Sequence, residues 1–388
     1  MSKLLSLLVC LIVTAVSVCA NQEDRVFGWS LKVEPADRKK KDQHRSRTQR
    51  PQTSAEEIHV DTDLVISDIL VQDQYGNAVK GLAPEDFEIS ESGSSQTIDV
   101  FAHGDSSIPR SIVLVIDHSL SQLRYIDLSI ASAKLLVDSM RPNDRMAIVS
   151  DDVELISDLT SNKEQLKSAL ESLRVKCTAG KFGKSSQYSA LFAALNERVT
   201  RNGTRNIVIF QTDGDEFAML RRTSASKIAK FGLDDIVSYA ERNGVTIYTV
   251  FTGSPLANLK KSERFERARY EMDEQLRAFA DVTGRPPPSK PSKISRQYIL
   301  SRIEGAIAEE KAVASMAERT GGIAQSLESP DQAAEVYERI LSDIGRRYLI
   351  GYYPPDRTEH ATREREVRII LKNKGNFRVI GGRTYVAY

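Results

Sequence analysis

Ile112-Val113-Leu114-Val115-Ile116 is a run of five apolar residues, four of them β-branched, that leads straight into Asp117-His118-Ser119-Leu120-Ser121. So unbroken an apolar run suits a strand covered on both faces, as in the middle of a parallel sheet. The residues after it then lie at the strand's carboxyl end, the edge at which open α/β sheets bind ligands. One carboxylate and two hydroxyls at alternate positions of a loop can face the same way. Three hard oxygens on one side make half a coordination shell for a small divalent cation.

A second apolar run, Asn206-Ile207-Val208-Ile209-Phe210-Gln211, ends in Thr212-Asp213-Gly214-Asp215, again with carboxylates at a carboxyl end and a glycine to let the backbone turn. Between the two, Gln187 to Leu195 reads as a helix start with the Ser189 hydroxyl near its first turn. Together these pieces resemble the von Willebrand factor A domain and its metal-ion-dependent adhesion site. The family's Asp-x-Ser-x-Ser corresponds to Asp117, Ser119 and Ser121, its threonine to Ser189, and its Thr-Asp-Gly aspartate to Asp213. The chain departs from the pattern at three places: Ser189 stands for Thr, Ser185-Ser186-Gln187-Tyr188 replaces a glycine pair, and Ala193 replaces an aspartate.

The resemblance implies a cation, Mg²⁺ with Mn²⁺ or Ca²⁺ as alternatives, held by Asp117, Ser119, Ser121, Ser189 and Asp213. It also implies a protein partner that completes the coordination with a Glu or Asp carboxylate. Two aspartates only partly neutralise a doubly charged ion, Mg²⁺ prefers six oxygens, and water fills whatever the protein leaves. Exchanging that water for a carboxylate adds charge complementarity.

Around these loops the pattern alternates. Helical spacing over Tyr125 to Met140 precedes a hairpin at Asp144 to Ser150 and Val153 to Ile156. Helices are expected at Lys163 to Leu173, Ser224 to Asn243, Ala312 to Arg319 and Asp331 to Asp343, with strands at Val245 to Phe251 and Gly321 to Ala324. Such alternation implies a Rossmann-like, doubly wound, mostly parallel α/β sheet covered on both faces, over residues 105–345. An insertion at 254–297 interrupts it, with a charged helical pattern from Lys260 to Val282 and then the proline-rich Arg285 to Pro291. A connection of that length at the sheet edge is a recognition feature, a mobile flap or a semi-rigid spacer.

The flanks have a different period. Residues 56–104 carry β-rich runs (Ile58 to Val60, Leu64 to Val71, Phe87 to Ile89, Thr97 to Phe101) and residues 346–388 carry three more (Arg347 to Tyr353, Glu366 to Leu371, Thr384 to Tyr388). Neither flank is long enough to form a core alone. One small β-sandwich assembled from both chain ends, with the α/β domain inserted, accounts for both. This arrangement also resembles a family of secreted bacterial proteins with a von Willebrand factor A-related domain, through Gly76, Val79, Leu82 and Asp86-Phe87 before the domain and Tyr348 and Gly351-Tyr352 after it.

Residues 1–20 read as a secretory signal: Lys3, then apolar Leu4 to Val18, then Cys19-Ala20. Val18 argues against a lipid-modified Cys19, because that signal wants Gly, Ala or Ser before the cysteine. Cleavage after Ala20 leaves Cys177 as the one thiol, so the mature chain lacks an intramolecular disulfide. Residues 21–55, with Arg38-Lys39-Lys40-Lys41 at their centre, have no apolar periodicity and read as a disordered basic linker. No second apolar stretch suggests a transmembrane segment.

Lys+Arg 54 against Asp+Glu 53 leaves a net charge of +1, so no global field favours nucleic acid. Enzyme readings lack parts, with no Gly-x-Ser-x-Gly elbow, no Walker loop and no paired histidines at metal spacing. A metal-assisted phosphohydrolase would want a general acid two residues after Asp117, and Ser119 stands there. The chain is therefore expected to be a secreted binding or adhesion module rather than an enzyme. That phosphohydrolase, or a metal-independent scaffold, is the alternative. The sequence leaves the partner's identity and the oligomeric state open.

Overall fold

The computed structural model describes residues 29–30, 64–75, 78–104, 108–199, 204–214, 231–253, 255–284, 295–354, 363–372, 375–381 and 384–387. The signal, most of the basic linker, Asp215, the polyproline run and the strand-like Ile58 to Val60 lie outside them.

The centre is a seven-stranded sheet in the order β1-β8-β7-β6-β9-β10-β11. Its strands are β1 (Trp29–Ser30), β6 (Arg110–Ile116), β7 (Arg145–Ser150), β8 (Glu154–Thr160), β9 (Arg205–Thr212), β10 (Val245–Thr252) and β11 (Ala324–Leu327). β7, β6, β9, β10 and β11 run parallel, and β8 and β1 pair antiparallel at one edge. All seven residues of β6 are buried, as the uninterrupted apolar run requires. Its alternate side chains feed two cores. Ile112, Leu114 and Ile116 meet helices α1 (Ile126–Asp138), α2 (Lys163–Thr178) and α7 (Ala333–Gly345). Val113 and Val115 meet α3 (Gln187–Arg198), α4 (Leu233–Arg242) and the later part of α6 (Arg296–Arg319). Burying one such Ile, Leu or Val contributes about 1.5–3 kcal/mol, which fixes the strand's place in the middle.

Two four-stranded antiparallel sheets complete the fold. One is β14 (Arg378–Ile380), β2 (Val65–Gln72), β12 (Tyr348–Tyr352) and β5 (Val100–His103); the other is β15 (Thr384–Ala387), β13 (Arg363–Leu371), β3 (Phe87–Glu91) and β4 (Ser94–Gln96). Each therefore combines strands from before and after the α/β domain. They share one core, in which Ile69, Phe87 and Ile89 pack with Tyr348, Ile350, Val367 and Ile369.

The insertion differs from its sequence reading in extent. The helix expected to start at Ala312 begins at Arg296 and has 24 residues. Its first half does not cover the sheet. Ile299 and Ile303 instead pack with Ala268, Phe265 and Met272 of α5 (Lys261–Thr283), so α5 and α6 form a small core of their own. At the other end of α6, Gly321 takes φ +89° and closes the helix, so the strand expected at 321–324 begins at Ala324. No helix among the described residues is long and apolar enough to cross a membrane.

Candidate metal centre

From β6 the chain passes to β7 on one side, while β9 lies on the other, so the strand order reverses between β6 and β9. That switch point opens a crevice at the carboxyl ends. In the β6–β9 ladder Ile116 faces Gln211, which sets Asp117 beside Thr212 and Asp213, and the Asp117 N–H donates to the Gln211 carbonyl at 2.9 Å.

Asp117 is buried, and its Oδ1 accepts the Ser119 N–H at 2.8 Å. Ser119 caps the 3-10 turn Leu120–Tyr125, and its hydroxyl lies 2.9 Å from that of Ser121. Ser189 sits half-buried in the first turn of α3. Asp213 is half-buried at the end of β9, next to Gly214 in the left-handed region at φ +84°. Burial raises the Asp117 carboxyl well above its ordinary 3.8, the negative charges of Asp213 and Asp151 push it further, and the Ser119 hydrogen bonds act the other way.

Three neighbours escaped the sequence reading. Asp151, at the carboxyl end of β7, is fully buried and accepts the His118 N–H at 3.1 Å, the His118 ring Nδ1 at 2.5 Å and the Ser185 N–H at 2.7 Å. A Cβ on Gly183 would stand 2.0 Å from its Oδ1, so only glycine admits this approach. Asp151 thereby joins the Asp117 loop to the segment leading into α3. His118 turns its ring onto Asp151, one of the two carboxylates whose charges act on Asp117. Burial disfavours its charged form, and the Asp151 carboxylate outweighs that and raises its pKa. Ser150-Asp151-Asp152 at a third strand end was the available signal. Gln187, 1% exposed, donates from Nε2 to Asp117 Oδ2 at 2.9 Å and accepts the Thr212 hydroxyl at Oε1. Glu310 of α6 accepts the Leu256 and Ala257 N–H groups at 2.9 and 2.7 Å, and burial, opposed by these bonds, raises its pKa.

The insertion helix α5 lies across the turn that follows the serines. Its Glu271 accepts Arg124 at 2.8 Å and the Tyr125 hydroxyl at 3.0 Å. In donor chemistry the residues fit a hard divalent cation: Asp117 and the Ser119 and Ser121 hydroxyls offer oxygens on one loop, and the negative charges of Asp213 and Asp151 act on Asp117, an effect that a cation there would offset. Asp117 Oδ2 already accepts the Gln187 amide, so a cation bound at that oxygen would take the amide's place.

The model of the von Willebrand factor type A domain matches residues 112–216, and this chain carries such a domain. A comparison with curated proteins finds no match. Among solved structures, the chain is similar to the conserved hypothetical protein BatB from Bacteroides thetaiotaomicron, with 16% identity, 62% of this chain and 100% of that chain covered, and a TM-score of 0.37. It is also similar to the manganese-loaded TRAP protein of Plasmodium vivax (12% identity, 76% and 97% covered, TM-score 0.32). A third likeness is to the mussel byssus proximal thread matrix protein 1 with a zinc-occupied MIDAS motif (13% identity, 61% and 48% covered, TM-score 0.33), of whose length the chain spans about half.

Proposed function

We propose that this chain is a secreted binding module that holds a divalent cation, Mg²⁺ by preference, through Asp117, Ser119, Ser121, Ser189 and Asp213, and captures a protein partner through that partner's Glu or Asp carboxylate. The observation that carries the reading is the position of Asp117 and Asp213 on either side of the strand-order reversal, with the Ser119 and Ser121 hydroxyls beside them. The protein oxygens hold the ion and orient it, and the partner's carboxylate replaces one of its waters. The module acts by association rather than turnover, since Ser119 stands where hydrolysis would want a general acid. Export follows from Lys3 to Ala20, with a mature N-terminus at Asn21.

Titration calorimetry with Mg²⁺ tests the site. Binding should be saturable, and at a hundred times the dissociation constant the ion should add about 2.7 kcal/mol of stability, raising the melting temperature by several degrees. Asp117→Ala should erase that increment and Ser119→Ala should reduce it. Absence of heat with Mg²⁺, Mn²⁺ and Ca²⁺ alike would refute the cation and leave a metal-independent scaffold. Recovery of the same partner with and without chelator would refute its role in capture.

A further inference from the structure

Two residues before the hydroxyl on α3, Gln187 reaches Asp117 from inside the protein. Its Nε2 lies 2.9 Å from Asp117 Oδ2, and its Oε1 accepts the hydroxyl of Thr212, whose Oγ1 in turn accepts the Gly214 N–H at 2.8 Å. One amide thus bridges the end of β6 to the end of β9 across the crevice. Its NH₂ group brings partial positive charge to the carboxylate that a cation would use. Where the related pattern has glycines, which bring no side chain, this chain brings an amide donor.

We propose that Gln187 is a built-in competitor for the cation, holding the metal-free site in shape and lowering its affinity for divalent ions; this rests on the metal-site reading above. The geometry points this way because the ion and the amide draw on the same electron pairs. Gln187 is 1% exposed, so water does not offset the loss of its bond when an ion displaces it. A hydrogen bond to a charged acceptor is strong enough that removing the donor should tighten cation binding about tenfold.

The experiment is titration of the full chain with Mg²⁺ and, separately, Mn²⁺, for the unsubstituted protein, Gln187→Met and Gln187→Ala. Methionine keeps length and volume without a donor, so the comparison survives if the smaller residue unfolds the site. Both variants should bind about tenfold more tightly. In chelator both should melt at a lower temperature than the unsubstituted chain, because the bridge is gone. Equal affinities would overturn the competitor role and leave the metal site standing. Weaker binding by the variants would also overturn it, and would make the turned amide, with Oε1 toward the ion, a ligand. No binding by any of the three would overturn both readings. Binding by the variants alone would establish the competitor and remove the cation from the function of the unsubstituted chain.

Discussion

Asp68 and Arg347, 279 residues apart, form a buried ion pair at 3.3 Å that ties the strand before the α/β domain to the residue that follows it. Asp68 also faces Arg205, at the start of β9, at 3.1 Å. One carboxylate therefore serves two guanidinium groups, both at most 3% exposed. Arg347 in addition donates to the Gly321 carbonyl at 2.6 Å and approaches Asp343, which accepts the Tyr248 hydroxyl at 2.7 Å. Burial works against the Arg347 charge, but Tyr248, Asp68 and Asp343 outweigh it and hold its pKa up.

Asp68→Ala should therefore cost about 3–5 kcal/mol, since it strands buried cations rather than removing a surface pair. Denaturant unfolding should show one transition moved to lower denaturant. A change under 1 kcal/mol would mean that water reaches the arginines. A fragment of residues 105–345 lacks both Asp68 and Arg347; we expect it to fold on the six strands of the central sheet that it keeps, β6 to β11, with Arg205 solvated.

Asp151→Ala should loosen the site without touching a proposed ligand. It removes three hydrogen bonds, two to His118 and one to Ser185, and so frees the Asp117 loop from the segment that enters α3. The expected loss is about 3 kcal/mol of stability together with weaker Mg²⁺ binding by calorimetry. Unchanged Mg²⁺ affinity in a destabilised protein would reduce Asp151 to a purely structural role.

The sheet was legible because β6, β9 and β10 are each buried on both faces, and that condition writes itself as an apolar run. The loop residues Asp117, Ser119 and Ser121 were legible because they follow such a run directly. Asp151 and Gln187 were not, because their partners lie 33 and 70 residues away, and short-range spacing carries no information about contacts of that separation. The early start of α6 was missed for a related reason. Ile299 and Ile303 face α5, so the apolar stripe of α6 shifts partner halfway along.

Cys177 should be inert in the native protein. It is buried, and burial together with the charges of Asp117 and Asp151 pushes its thiol up to about 12. Iodoacetamide at pH 8 should leave it unmodified by mass spectrometry until denaturant is added, because the thiolate is the reacting species. Rapid native labelling would show that α2 opens locally.

The clearest pH dependence belongs to Asp144, at the start of β7. Its carboxylate accepts the Arg110 N–H at 3.0 Å, Arg110 Nε at 2.8 Å and the Arg141 N–H at 2.8 Å. Burial alone would raise its pKa, but these bonds outweigh that and lower it from 3.8. A carboxyl depressed on folding contributes stability that is present above its unfolded value and lost as pH falls through the folded one. The contribution should therefore be intact at neutral pH and fade below about pH 4. Asp144→Asn should be less stable by about 3–5 kcal/mol at pH 7, as expected for a broken buried pair. Its unfolding free energy should converge on that of the unsubstituted chain as the pH is lowered below about 4. A gap that stays constant from pH 7 to pH 3 would trace the loss to packing instead of charge.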